Sequence, residues 1–269
     1  MIDEDAYAEE EEQRPRDVAI DAATARVRTF FAQSPHRLFY STQIETSLER
    51  EFFHWITGKA LLELSSAGEV TRIPEIVQEN LVNFYAHPSH RYFRRELTTM
   101  KGLLTRIFDP EFARAVGLHG ELMFDAALGR HGFRAEARSA NSWQGNVWTK
   151  TGHNLDRIVT RDQRGYGVEV KNTQGYISRD ELQTKLDLSN HLGLTPLFIM
   201  RFAPKSYIHD INQRGGFALL FEDQMYPFGH AALLAEVQQT LGLKVLSPRD
   251  VKDGDMQRLL NWHDRQAGH

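Results

Sequence analysis

One stretch of this sequence alternates apolar and charged residues in a way that suits only a β-strand with two different faces. The stretch is Val168-Glu169-Val170-Lys171, and it follows an apolar run at 154–160 and a turn at 161–165. Because successive side chains of a strand point to opposite faces, we expect both valines in a core and Glu169 and Lys171 together on the other face. The sequence therefore predicts a β-hairpin that carries charge on one face of a sheet.

The segments around this hairpin alternate between helical and extended patterns, which is typical of an α/β domain. A helix at 120–129 precedes the hairpin, and a helix at 178–192 follows it. The second helix begins with Ser178 and Glu181 in the spacing of a capping box. Further strands are predicted at 133–138, 195–202, 217–221 and 244–246, and further helices at 207–212 and 231–241. We expect residues 116–269 to form a mixed central sheet flanked by helices.

The amino-terminal part has a different, mainly helical organisation. Seven acids and no base occur in the first twelve residues, so residues 1–16 are predicted to be a disordered acidic leader. Residues 17–88 contain helical patterns, including Thr57-Gly58-Lys59-Ala60-Leu61-Leu62-Glu63-Leu64, followed by two extended pieces. This order resembles a winged helix-turn-helix domain, and a plain helical cap with a hairpin is the alternative. Residues 89–115 are expected to form a helical connector.

Composition limits the class of protein. The 269 residues include no cysteine, which excludes disulfides and thiolate metal sites, so any bound metal must have oxygen or imidazole ligands. No run approaches the roughly 18 apolar residues that a membrane span needs, and the acidic start is unlike a signal peptide. We therefore expect a cytoplasmic protein without a membrane partner. The net charge of -4 does not favour nucleic-acid binding, which depends on clustered Lys and Arg.

The charged face of the predicted hairpin has the chemistry of a metal site. Asp156 on the first strand and Glu169 on the second supply carboxylate oxygens, which Mg²⁺ and Mn²⁺ prefer as ligands. A metal held in this way can activate water and neutralise charge on a phosphodiester. Lys171 is expected to orient the attacking water or to stabilise the developing negative charge. The alternative is a surface salt bridge between strands that has no catalytic role.

These residues resemble the signature of a known family. Asp156, a gap of about a dozen residues and then Glu169-Val170-Lys171 are similar to the Asp…(Asp/Glu)-x-Lys signature of the PD-(D/E)XK nuclease superfamily. Leu155 stands where the proline of the family name is found. The resemblance covers residues 116–203, and it implies a restriction endonuclease-like fold for this part of the chain.

The resemblance also implies roles for two neighbouring helices. In this family the helix before the first core strand often carries a further acidic metal ligand, which would be Glu121 here. The helix after the lysine strand carries a Gln or Lys that faces the site in several branches of the family. Gln183 and Lys185 are on that helix, and Gln183 is our first candidate.

The sequence therefore predicts a Mg²⁺-dependent DNA endonuclease, in which Mn²⁺ can substitute for Mg²⁺. The predicted metal ligands are Glu121, Asp156 and Glu169, and the other predicted catalytic residues are Lys171 and Gln183. DNA is the expected partner, and a homodimer is expected if both strands are cut. One alternative is a non-catalytic DNA-binding regulator that uses the nuclease fold as a scaffold. Another is that the helical half is a protein-interaction module.

Overall fold

A computed structural model describes residues 16–267 of the chain, which divide into two compact units. The first unit contains the described residues up to Ala113 together with Ala232–Leu243. The second unit contains Arg114–Ala231 and the residues from Lys244 onward. The predicted acidic leader lies outside the described residues except for its last position. None of the helices in the described part has the length and apolar character that crossing a bilayer requires.

The first unit consists of helices around a three-stranded antiparallel sheet. Its main elements are α1 (Arg16–Gln33), β1 (Leu38–Tyr40), α2 (Ser41–Leu48), α3 (His54–Ser66), β2 (Thr71–Val77), β3 (Asn80–Ala86) and α4 (Arg94–Ile107). The strand order is β1-β3-β2, and Gln78 and Glu79 form the turn between β2 and β3 at positive φ. Val27, Phe31 and Leu61 are buried in a core shared by α1 and α3. The two predicted extended pieces are β2 and β3, whereas β1 was not predicted.

The second unit is a mixed α/β structure. Its elements are α5 (Pro110–Arg130), β4 (Arg134–Ala140), β5 (Ser142–Trp143), β6 (Asn146–Val147), β7 (Leu155–Arg161), β8 (Arg164–Lys171), α6 (Arg179–His191), β9 (Thr195–Met200), α7 (Lys205–Gln213), β10 (Phe217–Leu220), β11 (Gln224–Met225), β12 (Val245–Leu246) and α9 (Asp253–Ala267). Five strands form one sheet in the order β10-β9-β8-β7-β4. Strand β7 is antiparallel to both of its neighbours, whereas β8, β9 and β10 are parallel. The predicted α/β class with a mixed central sheet and flanking helices is therefore confirmed.

A segment from late in the chain belongs to the first unit. It contains α8 (Ala231–Glu236) and the π-helix that follows it (Val237–Leu241), which the sequence pattern predicted as one helix of the carboxyl-terminal domain. The buried side-chain Nε2 of Gln43 donates to the carbonyl oxygen of Leu241 over 2.8 Å, and Arg106 forms an ion pair with Glu236. These long-range contacts join the segment to the first unit.

Helices cover both faces of the five-stranded sheet. Val168 and Val170 of β8 pack in a core with residues of α5 and α9. Phe198 and Met200 of β9 pack in a second core with residues of α6 and α7. Because successive residues of a strand face opposite sides, Glu169 and Lys171 occupy the other side of β8, which faces α6. The predicted separation of apolar and charged faces in this strand is confirmed.

The hairpin of β7 and β8 is held closely against α6. Asp162 and Gln163 form its turn with φ values of 48° and 62°, as a two-residue type I′ turn requires. A Cβ atom at Gly167 would lie 2.8 Å from both Leu155 Cδ1 and Ser189 Oγ. Only glycine therefore allows α6 to approach the strand so closely at this point. This packing fixes the height of α6 above the charged residues of β8.

Candidate functional site

The β7–β8 hairpin brings Asp156 and Glu169 together at the end opposite its turn. The paired register of the hairpin ends at Arg157 and Val168, so Asp156 and Glu169 are the next residues of the two strands. The Oδ2 atom of Asp156 also accepts a hydrogen bond from the backbone N–H of Val170 over 2.8 Å. The two acids that the sequence assigned to adjacent strands are therefore neighbours in the fold.

Glu169 is a buried carboxylate between two lysines. Only 1% of the residue is exposed, and its Oε1 lies 3.0 Å from Lys171 Nζ while its Oε2 accepts from Lys185 Nζ over 2.7 Å. Burial raises the pKa of Glu169, the charge of Asp156 raises it further, and the two lysines oppose this effect. The net direction is upward, and burial is its largest cause.

Lys171 is held as an ammonium by two acids. Its Nζ donates to Glu181 Oε1 on α6 over 2.7 Å and lies 3.0 Å from Glu169. Burial by itself would lower the pKa of Lys171, but the charges and hydrogen bonds of Glu169 and Glu181 outweigh it and raise the pKa above its usual range. Lys171 is therefore suited to stabilising negative charge and unsuited to accepting a proton.

Glu121 lies on the α5 side of the sheet. Its Oε2 is 3.0 Å from Nη2 of Arg157, a buried residue whose Nε also donates to both carboxylate oxygens of Asp125. Burial raises the pKa of Glu121, Asp156 raises it further, and Arg157 opposes the shift. Glu121 is thus close enough to Asp156 for their charges to interact.

A tight contact between α5 and the end of β8 fixes the position of the Glu121 backbone. A Cβ atom at Gly120 would lie 2.6 Å from Cβ of Asn172, the residue that follows Lys171. The buried Asn172 side chain donates to the carbonyl oxygens of Val116 and Met225 over 2.8 and 2.7 Å. Its Oδ1 accepts from the backbone N–H of Met225 over 2.7 Å. Asn172 therefore ties the end of the lysine strand to the helix that carries Glu121.

The structure places Lys185, and not Gln183, against the acids. Gln183 Nε2 donates to Asp210 on α7 over 3.1 Å, which directs it away from Glu169. Residues two positions apart in a helix, such as Gln183 and Lys185, point in directions about 200° apart around the helix axis. Their side chains therefore cannot both face the sheet. Gln183, the first candidate, is therefore hydrogen bonded to α7, whereas Lys185, the second candidate, contacts Glu169 over 2.7 Å.

Glu181 is a site residue that sequence analysis assigned only to the helix cap. Its backbone N–H donates to Ser178 Oγ over 3.2 Å, which is one half of the predicted capping box. Its carboxylate contacts Lys171 on β8. Glu181 and Lys185 are four residues apart and share one face of α6. This spacing indicates that the two side chains lie on the same side of the helix.

The donor chemistry of Glu121, Asp156 and Glu169, here called the acid cluster, fits a hard divalent cation. All three supply carboxylate oxygens, and Asp156 raises the pKa values of the other two. A cation between them would relieve this repulsion. Within residues 16–267, however, no three acidic or histidine side chains are already arranged as a ligand group. Before both could bind a metal ion, Glu121 would have to release its ion pair with Arg157, and Glu169 would have to release its ion pairs with Lys171 and Lys185.

A pocket of about 480 Å³ lies at the turn end of the hairpin, away from the acid cluster. Its lining includes Trp143, Thr160, Arg161 and Asp162. The other tryptophan of this loop, Trp148, is 3% exposed and packs in a core with residues of α6. The acids and the pocket are thus separate features of the second unit.

Comparisons of the chain with protein-family models, with curated proteins and with solved structures found no match.

Proposed function

We propose that this chain is a metal-dependent nuclease that hydrolyses phosphodiester bonds of DNA. The observation that carries the proposal is the position of Asp156 beside Glu169: Asp156 Oδ2 accepts from the backbone N–H of Val170 over 2.8 Å, and the Lys171 ammonium lies 3.0 Å from Glu169. Hard oxygen donors and a protonated amine form a set that suits hydrolysis of a phosphodiester. The similarity of this set to the PD-(D/E)XK signature adds to the proposal.

In the proposed mechanism each residue has a limited role. The acid cluster would hold Mg²⁺, or Mn²⁺ in its place, and the bound ion would supply a more acidic water and charge neutralisation on the phosphate. Lys171 stabilises negative charge on the substrate phosphate, because its raised pKa keeps it protonated. Glu181 positions the Lys171 ammonium, and Arg157 with Asp125 positions Glu121. Lys185 holds Glu169 toward β7.

The first unit supports DNA as the substrate. Its element order, α1-β1-α2-α3-β2-β3, and its sheet order, β1-β3-β2, resemble those of a winged helix-turn-helix domain, in which α3 would be the recognition helix and the β2–β3 hairpin the wing. Arg72 on β2 is exposed and donates to Asn83 of the neighbouring strand over 2.9 Å. Lys59 on α3 lies over the ring of Trp55. We propose that this unit binds duplex DNA.

The direct test is cleavage of supercoiled plasmid and of labelled duplex and single-stranded oligonucleotides. Cleavage is expected with Mg²⁺ or Mn²⁺ and not with EDTA. Running RNA of the same sequence in parallel tests whether DNA is preferred. The absence of cleavage with both metals on every DNA substrate would reject the nuclease.

A second candidate, a non-catalytic DNA-binding regulator, is favoured by one specific observation. Glu121 and Glu169 already have basic partners, and Lys171 is paired with two acids. A scaffold that has lost catalysis would retain such ion pairs for stability. This candidate predicts duplex binding in gel-shift assays without cleavage under either metal. Binding by residues 16–113 of the first unit is not required for the comparison, since the full chain serves in both assays.

Mg²⁺ should stabilise the fold more at about pH 8 than at about pH 5. The pKa values of Glu121 and Glu169 are raised in the folded chain, so between the unfolded and folded pKa values the folded chain binds more protons than the unfolded chain. Both acids therefore stabilise the fold at low pH. This stabilisation is lost as the pH rises through their raised pKa values. A cation compensates the acids only when they are ionised. At 100 times its Kd the metal should add about 2.7 kcal/mol to the free energy of unfolding.

Thermal unfolding with MgCl₂ and with KCl of equal ionic strength measures this difference. Asp187→Asn is a matched control, because Asp187 is an exposed acid of α6 that pairs with Arg214. That variant should keep the pH-dependent stabilisation, and Asp156→Asn should lose it. Equal Mg²⁺ shifts at both pH values would contradict metal binding by the acid cluster.

Gln183→Ala should leave cleavage within about twofold of the wild type, whereas Lys185→Met should lower it by roughly 10- to 100-fold. Gln183 contacts Asp210, but Lys185 holds the buried Glu169. Methionine keeps the length of the side chain and removes the charge. Single-turnover cleavage rates measure both effects, with melting temperatures to show that each variant is folded. A large loss in Gln183→Ala alone would restore the original assignment.

A further inference from the structure

The cations next to the acid cluster are already engaged. Arg157 is paired with Glu121 and Asp125, Lys171 with Glu169 and Glu181, and Lys185 with Glu169 and the carbonyl oxygen of Asn154. A nucleic acid that approaches carboxylates needs compensating donors that are not tied up in this way. Such donors are found in the segment that leads into β7.

The segment 149–154 is exposed and is attached directly to the acid cluster. Lys185 Nζ donates to the carbonyl oxygen of Asn154 over 2.5 Å and to Glu169 Oε2 over 2.7 Å. One lysine therefore links the end of this segment to the buried acid. His153 immediately precedes Asn154, and three positions separate it from Asp156. Both His153 and Lys150 are exposed.

The hydrogen bonds of Thr151 determine which nitrogen of His153 carries a proton. Thr151 Oγ1 accepts from Trp148 Nε1 over 2.9 Å and from the backbone N–H of His153 over 3.3 Å. Both of these groups are donors only, so they use the two acceptor positions of the hydroxyl oxygen. The remaining hydroxyl hydrogen is available to His153 Nδ1, which lies 3.0 Å away. Nδ1 is then an acceptor, and the proton of the neutral ring is on Nε2.

Trp148 makes this arrangement rigid. Its ring is buried and packs against His191, and its backbone N–H donates to the carbonyl oxygen of Asn141 over 2.8 Å. Thr151 is thus hydrogen bonded to a fixed indole. His153 can present the Nε2–H group outward at low cost in side-chain entropy.

Lys150 supplies a charge beside this donor. Its Nζ is 5.4 Å from the centre of the Trp148 ring, and no acid within residues 16–267 forms an ion pair with it. We propose that Lys150 and His153 form a phosphate-contact site for the nucleic acid at the edge of the acid cluster, with Lys150 acting by charge and His153 as a neutral Nε2–H donor. The nucleic-acid identity of the ligand rests on the proposed function. The two contacts differ in kind, which makes them separable.

The test is binding of a fluorescein-labelled duplex of about 20 base pairs to the full chain in EDTA, at several salt concentrations. His153→Ala should weaken binding by about tenfold, as expected for a hydrogen bond to a charged group. It should leave the slope of log K against log salt unchanged, because a neutral donor releases no counterion. Lys150→Gln should weaken binding and reduce the slope by about 0.9. His153→Gln keeps a donor near the position of Nε2 and should restore most of the affinity.

Lys244→Gln is a matched control, since Lys244 is an exposed lysine of the same unit outside this segment. It should bind as the wild type does. The tautomer is tested separately by two-bond ¹H–¹⁵N NMR of His153, where the Nε2–H form is expected in the wild type and a loss of its dominance in Thr151→Val. Wild-type affinity in His153→Ala, a slope change equal to that of Lys150→Gln, or an Nδ1–H tautomer in the wild type would each overturn the proposal.

Cleavage is not measured in these experiments. A chain that binds through Lys150 and His153 but never cuts would reject the proposed nuclease and leave this phosphate-contact site standing. If the chain cuts DNA but binds it equally well without these side chains, the nuclease proposal stands and the phosphate-contact site is rejected.

Discussion

Asp156→Asn should lower the rate of Mg²⁺-dependent DNA cleavage by roughly a thousandfold or more, since a metal ligand contributes several kcal/mol to stabilising the transition state. Asparagine has the same shape, and its Oδ1 can still accept the hydrogen bond that Asp156 receives from Val170 N–H. The substitution therefore removes a charge and leaves the local backbone pairing in place. Single-turnover cleavage at saturating protein measures the loss.

The same substitution should not destabilise the fold. Asp156 raises the pKa values of both Glu121 and Glu169, so removing its charge relieves a repulsion at neutral pH. We expect an unfolding free energy equal to or higher than that of the wild type in the absence of metal. Lost activity together with retained stability would distinguish a metal ligand from a structural acid. Cleavage at the wild-type rate by a pure Asp156→Asn sample would exclude Asp156 from the site.

Glu169 is a less suitable residue for this test, because it is buried and a substitution there would affect both metal binding and the stability of the fold. Glu169→Gln would leave the buried Lys185 without a carboxylate partner, and breaking a buried ion pair in this way typically costs about 3–5 kcal/mol. A loss of cleavage in that variant would therefore report unfolding as readily as chemistry. Asp156, which has a backbone partner and no paired lysine in the structure, separates them.

The central hairpin could be predicted from sequence because its information is local. The alternation of Val168, Glu169, Val170 and Lys171 specifies which face is buried without reference to any other element, and the cores of the second unit confirm it. The register of the hairpin, which brings Asp156 beside the end of β8, follows from the two-residue turn. Whether the resulting site is that of a nuclease stays a prediction.

The choice between Gln183 and Lys185 was also contained in the sequence, but in the apolar pattern of α6. Leu182, Leu186 and Ser189 are fully buried, and Lys185 lies on the same face between them. A polar residue within an apolar stripe must find a partner inside, which here is Glu169. The resemblance to a family drew attention to residue type, and helical periodicity was the better guide to orientation.

Contacts between distant parts of the chain were beyond the sequence patterns. Gln43 binds Leu241 across 198 positions, and nothing local to either residue indicates this pairing. The start of α5 was different: Pro110 follows Asp109, whose Oδ1 accepts from the backbone N–H groups of Glu111 and Phe112, so a capping signal was present ten residues before the predicted helix.

Gly120→Ala should lower the free energy of unfolding by about 2–3 kcal/mol, although a glycine-to-alanine change inside a helix ordinarily raises it by about 1 kcal/mol. The reversal of sign follows from the new methyl group, which would lie 2.6 Å from Cβ of Asn172. Gly117→Ala is the matched control in the same helix, because nothing lies within 4 Å of its added Cβ. It should stabilise the chain or have no effect.

Asn172→Ala should be at least as damaging, by about 3 kcal/mol or more, because it leaves two buried carbonyl oxygens and one N–H group without their partner. Urea unfolding of Gly120→Ala, of Asn172→Gly and of the double variant that combines them measures the coupling of the two positions, and Asn172→Ala is measured beside them. The double variant should lose less stability than the sum of its single changes, since glycine at 172 removes the atoms that the methyl group would meet. Simple additivity would show that the steric contact does not connect them. The position of Glu121 beside Asp156 would then depend on some other feature of α5, and the ion pair with Arg157 would be the first to examine.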